Sequence, residues 1–273
     1  MYEIIEKKAL NKDVDLYVIK APLVAKNTLP GNFLIVRVDK DGERIPLTVV
    51  ENDEENVTII SQKIGFSTKM ISKKNIGDSL EDVVGPLGLA AKIKKVKTLV
   101  AVAGGVGAAP LYPQLKAYAN QGTKIDLIIG AQDKEHLILL DKFKSFCENV
   151  YIATDDGSLG TKGFVTNVLA GLLEKQTYDL AIAIGPLIMM KNVVAMNKQY
   201  NLLTDVSLNP IMIDGTGMCG NCRVSINGKT YFACVDGPDF DSEGIDFDEL
   251  MERQRYYKSE EHICNLRLGD NHD

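Results

Sequence analysis

The alternation of apolar strand-like runs with segments of helical spacing, between residues 98 and 201, constrains the fold more than any other feature. The runs at 98–107 and 124–132 are largely apolar, as in strands that are buried on both faces of a sheet. Between them, apolar residues in 109–122 recur at the spacing of a helix. The alternation predicts a parallel sheet with helices on both faces and a nucleotide site at the carboxyl ends of its strands.

The regions on either side of this alternation follow other patterns. Residues 2–96 contain short β-rich runs separated by turn signals, and Asp41-Gly42 predicts a hairpin between two of them. This pattern predicts an antiparallel barrel or sandwich. After Leu208 a segment rich in glycine and cysteine interrupts the alternation. Residues 247–262 then predict a charged terminal helix, followed by a frayed tail at 267–273.

The composition argues against two classes of partner. The formal net charge is -6 at pH 7 and there is no long basic run, which speaks against nucleic acid. No apolar run reaches the roughly 20 residues of a membrane-spanning helix, so we expect no membrane partner. The first residues, MYEIIEKKAL, lack the apolar stretch of a signal peptide, from which we expect a cytoplasmic protein.

Four residues after position 208 have the spacing of an iron–sulfur site. Asp214, Cys219, Cys222 and Cys234 form the pattern D-x4-C-x2-C-x11-C, the plant-type [2Fe-2S] spacing with an aspartate in the first position. The glycines between them allow a loop to bring its amides close to a cluster. Asn227-Gly228 predicts a hairpin that returns Cys234 toward the first cysteines.

Three other interpretations of this segment remain open. The three cysteines and Asp214 could hold zinc, although structural zinc sites usually combine two cysteine pairs. Cys219 and Cys222 could form a thioredoxin-like redox pair, although no helix is expected after them. Asp214 could instead be a turn residue, in which case Cys264 is a candidate fourth ligand.

The glycine-rich stretch Gly104, Gly105, Val106, Gly107 follows a buried strand and opens a helix. Its amides could bind a pyrophosphate at the positive end of that helix. Because it lacks the complete G-x-G-x-x-G spacing, it is also compatible with close packing of strand and helix alone.

Eight short motifs follow one another along the chain: RIPLT (44–48), GFST (65–68), GPLG (85–88), AGGVGAAPL (103–111), GAQDKEHL (130–137), TDDGSLGTKGFVT (154–166), IGPLIMM (184–190) and DGTGMCGNC (214–222). In this order they resemble the ferredoxin-NADP reductase superfamily. Within it, the chain is similar to the branch with a carboxyl-terminal [2Fe-2S] domain, which includes electron-transfer subunits of dihydroorotate dehydrogenase B and small subunits of NADH-dependent ferredoxin:NADP oxidoreductase.

The resemblance implies three domains: an FAD-binding β-barrel at 1–95, an NAD(P)H-binding α/β domain at 96–207, and a [2Fe-2S] domain with a terminal helix at 208–273. It assigns two groups of residues to FAD. The first matches the family's flavin motif with one additional residue and no tyrosine; the second is a strand end and the loop after it. These residues are Arg44, Pro46, Leu47, Thr48, Ser61, Gln62, Gly65, Ser67 and Thr68. Without the resemblance, Thr48 and Thr68 would be ordinary strand and cap residues.

The resemblance assigns a further group to NAD(P)H and implies the iron ligands Asp214, Cys219, Cys222 and Cys234. The nucleotide residues are Gly104, Gly105, Val106, Gly107, Asp155, Asp156, Gly185 and Pro186. Asp155 and Asp156 could equally form a polar turn, and we expect Met189 and Met190 to lie in a helix core. Because Asp133 and Glu135 have no arginine close by, we expect NADH rather than NADPH.

The implied function is that of an electron-transfer oxidoreductase subunit with FAD, a [2Fe-2S] cluster and NADH. The resemblance also implies a larger partner subunit with another FAD and [4Fe-4S] clusters, electron exchange with ferredoxin, and electron bifurcation. We single out no catalytic residue, since the cofactors carry the chemistry. The alternatives are an electron-transfer subunit of dihydroorotate dehydrogenase B and a non-enzymatic nucleotide sensor with structural zinc.

Overall fold

A computed structural model describes the backbone of residues 2–269 and the side chains of residues 2–263. The predicted frayed tail at 267–273 lies outside the described residues from position 270 onward. None of the helices within 2–269 is long and apolar enough to cross a membrane.

The amino-terminal part forms the predicted antiparallel barrel. Its strands are β1 (Tyr2–Ala9), β2 (Val14–Lys20), β3 (Phe33–Arg37), β4 (Arg44–Asn52), β5 (Asn56–Gln62), β6 (Ser79–Leu80) and β7 (Asp82–Leu87), in the order β6-β1-β2-β5-β4-β3-β7. Only Glu81 separates β6 from β7, and these two strands lie at opposite ends of that order. Leu80 pairs with Tyr2 and Asp82 pairs with Arg37, so one stretch of chain closes the sheet on itself.

Two short helices accompany the barrel: α1 (Pro22–Ala25) and α2 (Phe66–Ser72). Apolar residues alternate along the strands, which places side chains such as Ile19, Leu34 and Ile59 in the barrel interior at 0% exposure. The hairpin predicted at Asp41-Gly42 connects β3 to β4.

The central part forms the predicted parallel sheet. Its strands are β8 (Thr98–Gly104), β9 (Lys124–Ala131), β10 (Asn149–Thr154), β11 (Thr161–Lys162), β12 (Leu180–Ile184) and β13 (Thr204–Ser207). Its helices are α3 (Ala108–Asn120), α4 (Leu140–Lys144), α5 (Val165–Leu173) and α6 (Leu187–Gln199). The strand order is β11-β10-β9-β8-β12-β13, with α3 and α4 packed on one face and α5 and α6 on the other. The mixed fold class of a barrel and an α/β domain is confirmed.

The carboxyl-terminal part contains β14 (Arg223–Ile226), β15 (Lys229–Phe232), α7 (Ala233–Asp236), β16 (Asp239–Asp241), α8 (Phe247–Arg253) and α9 (Lys258–Gly269). The predicted hairpin at Asn227-Gly228 joins β14 to β15. β16 runs antiparallel to β13 and extends the central sheet. The single helix predicted at 247–262 is two helices, and Gln254 at the break donates to the carbonyl of Asn209 at 3.0 Å.

The three parts share packed cores. Phe33 and Ile35 of the barrel lie in one apolar cluster with α5, α6, Cys222 and Cys234. Val50 of β4 lies in a second cluster with α3. The barrel therefore borders both the nucleotide sheet and the cysteine segment.

Candidate functional site

Two glycine turns meet at the carboxyl ends of β8 and β12, where the strand order changes direction. A Cβ atom on Gly185 would lie 3.0 Å from Cα of Gly104, and a Cβ atom on Gly107 would collide with the carbonyl of Ile184. Gly105 has φ +55°, which favours glycine. The first turn, Gly105–Gly107, leads directly into α3, and amides at the start of a helix lack intrahelical acceptors. This backbone cradle fits a pyrophosphate.

The structure brings together all the residues of these two turns that the sequence predicts for NAD(P)H. They are Gly104, Gly105, Val106, Gly107, Gly185 and Pro186. Met190 is fully buried, as expected of a helix-core residue. Met189 is only partly buried and covers the junction, since its Cε lies 2.8 Å from the position of a Cβ atom on Gly185. Sequence reasoning missed this second role of Met189.

Asp155 and Asp156 lie in an exposed turn after β10, on the same edge of the sheet as the glycine turns. The carboxylate of Asp156 accepts from the amide of Ser158 at 2.8 Å, so this residue does close a polar turn. The hydrogen bonds from Ser158 lower the pKa of Asp156, and the nearby charge of Asp133 opposes them. Three carboxylates face two lysines of the same turns, Lys134 and Lys162, which leaves this end of the edge negative.

Asp133 and His136 connect this edge to the barrel. The ring of His136 has one nitrogen 2.7 Å from Asp133 and the other 3.1 Å from Asp13 in the turn between β1 and β2. The hydrogen bond with Asp133, followed by that with Asp13, raises the pKa of His136. The same contact lowers the pKa of Asp133.

Phe164 is a second residue that sequence reasoning missed. Its side chain is 69% exposed, and it stands directly before α5 at the end of the turn that carries Asp155. An exposed aromatic ring on a polar edge suits stacking against a planar base. The signal in the sequence is a lone aromatic residue after the glycine-rich turn TDDGSLGTKG.

Three of the four residues predicted for the flavin on β4 lie on the outer side of the barrel. Arg44, Pro46 and Thr48 are half-buried and alternate with Leu47, which packs against the barrel core. Nε of Arg44 donates to the carbonyl of Ile213 at 3.3 Å. Arg44 thus connects the start of β4 to the cysteine segment.

The other predicted flavin residues lie at the end of β5 and in the turn that opens α2 with Gly65. Ser61 is 2% exposed, and its Oγ has no hydrogen-bond partner among the described side chains. Gln62, the next residue along β5, is half-buried. The hydroxyl of Thr68 accepts from the amide of Gly65 at 2.9 Å, which is a cap role, and Ser67 donates to Glu43 at 3.0 Å. An unsatisfied buried hydroxyl beside a polar turn fits a polar ligand such as FAD.

The cysteine segment brings Cys222 and Cys234 into contact. Cys222 and Cys234 are each 1% exposed, and the amide of Cys234 donates to Sγ of Cys222 at 3.4 Å. Cys219 is exposed. Burial, followed by the neighbouring Cys222 and Cys219, raises the pKa of the Cys234 thiol to about 12. A bound metal reverses this effect, because it deprotonates a coordinating thiol.

Asp214 caps its own loop. Its Oδ2 accepts from the amides of Thr216 at 2.9 Å and Met218 at 3.4 Å, and from the hydroxyl of Thr216. The hydrogen bonds from Thr216 lower the pKa of Asp214, which favours the ionised carboxylate. This is the turn role that the sequence left open. The side chain of Cys264, the alternative fourth ligand, lies outside the described residues.

The donors of this loop fit a two-iron cluster in number and in chemistry. A Cβ atom on Gly215 would lie 2.7 Å from Ile35 and 2.8 Å from Leu87, so only glycine allows this approach to the barrel. Across the described residues, no three cysteine, histidine or acidic side chains converge on one metal position. Three thiols and one carboxylate are the number of ligands that a [2Fe-2S] cluster divides between its irons.

Strand β4 also contacts the nucleotide domain at its other end. Glu51 accepts from the hydroxyl of Tyr112 on α3 at 3.1 Å and from Lys142 of α4. Burial alone would raise the pKa of Glu51, but the hydrogen bond and charge of Lys142, with smaller contributions from Tyr112 and Lys116, lower it overall.

Two family models match the chain. The model described as the iron–sulfur cluster binding domain of dihydroorotate dehydrogenase B matches residues 209–246. The model described as the oxidoreductase NAD-binding domain matches residues 101–195. The predicted iron–sulfur and NAD-binding parts are thereby confirmed, and the alternative of a structural zinc site in a nucleotide sensor is set aside.

Similar proteins cover nearly the whole chain. A homologue of the dihydroorotate dehydrogenase B (NAD+) electron transfer subunit from Thermotoga maritima is 43% identical over 97% of this chain and 95% of its own length. The dihydroorotate dehydrogenase B (NAD+) electron transfer subunit of Fusobacterium nucleatum is 33% identical over 85% of this chain and 93% of its own. A solved structure of NADH-dependent reduced ferredoxin-NADP oxidoreductase, studied for flavin-based electron bifurcation, has a TM-score of 0.93 at 40% identity and covers 98% of both chains.

Proposed function

The chain belongs to the family of dihydroorotate dehydrogenase B electron-transfer subunits and their homologues, and on this premise we propose a three-part electron-transfer subunit. The parts are the FAD barrel at 1–95, the nicotinamide domain at 96–207 and the [2Fe-2S] part at 208–273. When bound, FAD exchanges a hydride with NAD(H) and divides the electron pair into the single electrons that the cluster carries. The protein supplies binding, orientation and electrostatics.

The position of β4 carries this proposal. Arg44 at its start hydrogen-bonds to the residue before Asp214, and Glu51 near its end hydrogen-bonds to α3. The seven residue steps between them span roughly 24 Å of extended chain. The predicted flavin residues Pro46 and Thr48 stand between these two contacts. The order of sites along this strand is therefore cluster segment, flavin face and nucleotide domain, as electron transfer from NADH to a cluster requires.

We assign FAD to the outer face of β4 and to the turn after β5. Arg44, Pro46 and Thr48 would offer side chains and Leu47 its backbone. Ser61 and Gln62, at the end of β5, lead into the turn formed by Gly65, Ser67 and Thr68, and the unsatisfied hydroxyl of Ser61 supports a polar ligand there. The cap role of Thr68 keeps the turn in shape.

We assign NADH to the glycine cradle and the negative edge beside it. The amides of Gly104, Gly105, Val106 and Gly107 would bind the pyrophosphate, with Gly185 and Pro186 closing the cradle. Asp155 and Asp156, together with Asp133, would accept ribose hydroxyls and repel a 2′-phosphate, which favours NADH over NADPH.

We assign the cluster to Asp214, Cys219, Cys222 and Cys234. A carboxylate ligand is harder than a thiolate, so replacing it should change the cluster. In Asp214→Cys we expect an intact cluster with a shifted reduction potential and EPR spectrum, and in Asp214→Ala a labile cluster. An unchanged potential and spectrum in Asp214→Cys would show that Asp214 is not a ligand.

We propose a larger partner subunit next to the cluster loop. Met218 is 89% exposed beside the exposed Cys219, and Ile213 and Val235 add apolar surface around them. As the sequence resemblance implies, this partner would carry another FAD and [4Fe-4S] clusters and exchange electrons with ferredoxin; the similarity to an oxidoreductase studied for electron bifurcation supports the exchange with ferredoxin. We place the complex in the cytoplasm.

The first test is the cofactor content of the anaerobically purified chain. We expect about one FAD and about two irons per chain, little zinc, and faster bleaching by NADH than by NADPH. A colourless protein that contains zinc, made with sufficient iron, would overturn the proposal. Bleaching by NADPH at the same rate would overturn only the assignment of the negative edge.

A second candidate function is electron transfer from a partner subunit that oxidises dihydroorotate, which the names of the relatives favour. Activity assays on the complex isolated with its natural partner distinguish the two functions. Reduction of NAD+ by dihydroorotate would support this candidate. Reduction of NADP+ that requires both NADH and reduced ferredoxin as electron donors would support bifurcation.

A further inference from the structure

The loop between Cys219 and Cys222 is held from two sides through Asn221. The side chain of Asn221 donates from Nδ2 to the carbonyl of Ile211 at 3.3 Å. Its own carbonyl accepts from Nη2 of Arg253 at 3.1 Å. Arg253 is the last residue of α8 and lies 32 positions away along the chain. A cation thus contacts the backbone between two of the proposed iron ligands.

Arg253 is itself held in place. Its Nε is buried and has no hydrogen-bond partner among the described residues. Its guanidinium lies 5.4 Å from the ring centroid of Tyr256. Phe247 and Leu250 fix α8 in the apolar cluster that also contains Cys222 and Cys234. A fixed, partly buried cation with an unused donor facing the protein interior is costly unless a negative group lies near it.

An iron–sulfur cluster supplies such a negative group. Thiolate and carboxylate ligands give the oxidised cluster a net negative charge, and reduction adds one electron. A cation that stays in place stabilises the more negative, reduced form. Hydrogen bonds and charges around the ligands are the features by which proteins tune a cluster.

We propose that Arg253 is a positioning residue for the [2Fe-2S] cluster: it fixes the Cys219–Cys222 loop through the carbonyl of Asn221, and its charge raises the cluster's reduction potential. The proposal rests on the proposed function, since it requires the cluster. It predicts that Arg253 affects both the retention of iron and the reduction potential of the cluster. The potential should depend on the charge of the side chain, and the retention of iron on the shape of the guanidinium group.

The test compares Arg253→Gln and Arg253→Lys with Arg255→Gln in the full chain. Arg255 is an exposed arginine two residues further on and serves as a matched control for loss of charge. The readouts are an EPR-monitored redox titration, the rate of iron release to a chelator, and NADH-dependent flavin bleaching.

In Arg253→Gln we expect the ratio of reduced to oxidised cluster, at the wild-type midpoint, to fall at least about threefold. In Arg253→Lys the ratio should stay near the wild type, but iron release should be faster because lysine lacks the planar fork. Arg255→Gln should match the wild type in both. Equal potentials and release rates in Arg253→Gln and the wild type would overturn the inference.

Flavin bleaching separates this inference from the function beneath it. We expect NADH to bleach the flavin of all three variants at the wild-type rate, since Arg253 lies outside the flavin and nucleotide sites. A wild-type chain without iron or flavin would overturn the proposed function, and this inference with it. A wild-type cluster whose potential is insensitive to Arg253 would overturn this inference alone.

Discussion

The nucleotide edge and the cluster loop are built by opposite means. The edge is made of backbone: two glycine turns at the ends of β8 and β12 touch each other, and a sheet buried on both faces fixes their spacing. The cluster loop lies against the barrel at Gly215 and is otherwise held by a few side-chain contacts. These come from Arg44, Asn221, Arg253 and Gln254.

This difference predicts how each site fails. A backbone cradle tolerates most side-chain changes and fails when a Cβ atom fills it. A loop held by side chains fails one ligand or one contact at a time, while the rest of the molecule stays folded.

Loss of one buried thiol should abolish the cluster and spare the other site. In Cys222→Ala we expect less than about one tenth of the wild-type iron, because three remaining ligands cannot hold both irons. Flavin content and bleaching by NADH should persist. Cys147→Ala is the control, since Cys147 is a partly buried thiol outside the loop. Loss of iron from both variants would contradict the assignment of ligands.

One methyl group should damage the nucleotide edge. In Gly107→Ala the new Cβ atom meets the backbone of Ile184, which cannot move aside as a flexible side chain can. We expect about 1–3 kcal/mol of destabilisation and at least about tenfold weaker NADH binding. Gly171→Ala, in α5 with nothing within 4 Å, should be neutral or slightly stabilising. Equal NADH affinity in the two variants would refute the cradle.

The stabilisation that the contact of β4 with the nucleotide domain provides should weaken at acid pH. Because the pKa of Glu51 is lowered in the folded protein, its contribution to the free energy of unfolding is complete above the ordinary pKa of 4.5. That contribution is lost as pH falls through the pKa of the folded state. In Glu51→Gln we expect a lower Tm at pH 7, by the equivalent of about 1 kcal/mol, and a difference that shrinks in acid. The control is Glu54→Gln, an exposed residue nearby. A difference that does not change with pH would contradict this account.

The contacts of His136 with Asp133 and Asp13 should give stability the opposite dependence on pH. The raised pKa of His136 means that the stabilisation is complete below the ordinary value of 6.5 and is lost as pH rises through the folded value. In His136→Gln we expect a loss of less than about 1 kcal/mol at pH 6 that disappears in alkaline solution. Tm measured across pH tests this, with His262→Gln as the exposed control.

Local patterns were sufficient to predict the elements that make up both sites. Continuous apolar runs predicted the strands of the parallel sheet, and Asn227-Gly228 predicted the hairpin that returns Cys234. Spacing alone predicted a cysteine site after Leu208. These features depend on residues close together in the chain, so the sequence contains their physical cause.

Contacts between distant parts could not be predicted in this way. Arg44 and Ile213 are 169 residues apart, and a flavin motif with one additional residue gives no sign that its arginine contacts another segment. β16 has only three residues, two of them acidic, and becomes a strand because β13 offers it an edge. The break between α8 and α9 coincides with the contact of Gln254 with Asn209.

We conclude that this chain carries electrons from NADH through a flavin to its cluster. An anaerobic NADH titration, followed by visible absorbance and EPR on the same sample, tests it most directly. We expect the flavin to bleach and the EPR signal of a reduced [2Fe-2S] cluster to appear, and in Cys222→Ala we expect only the EPR signal to be lost. Flavin bleaching in the wild type while an intact cluster stays oxidised would contradict the account.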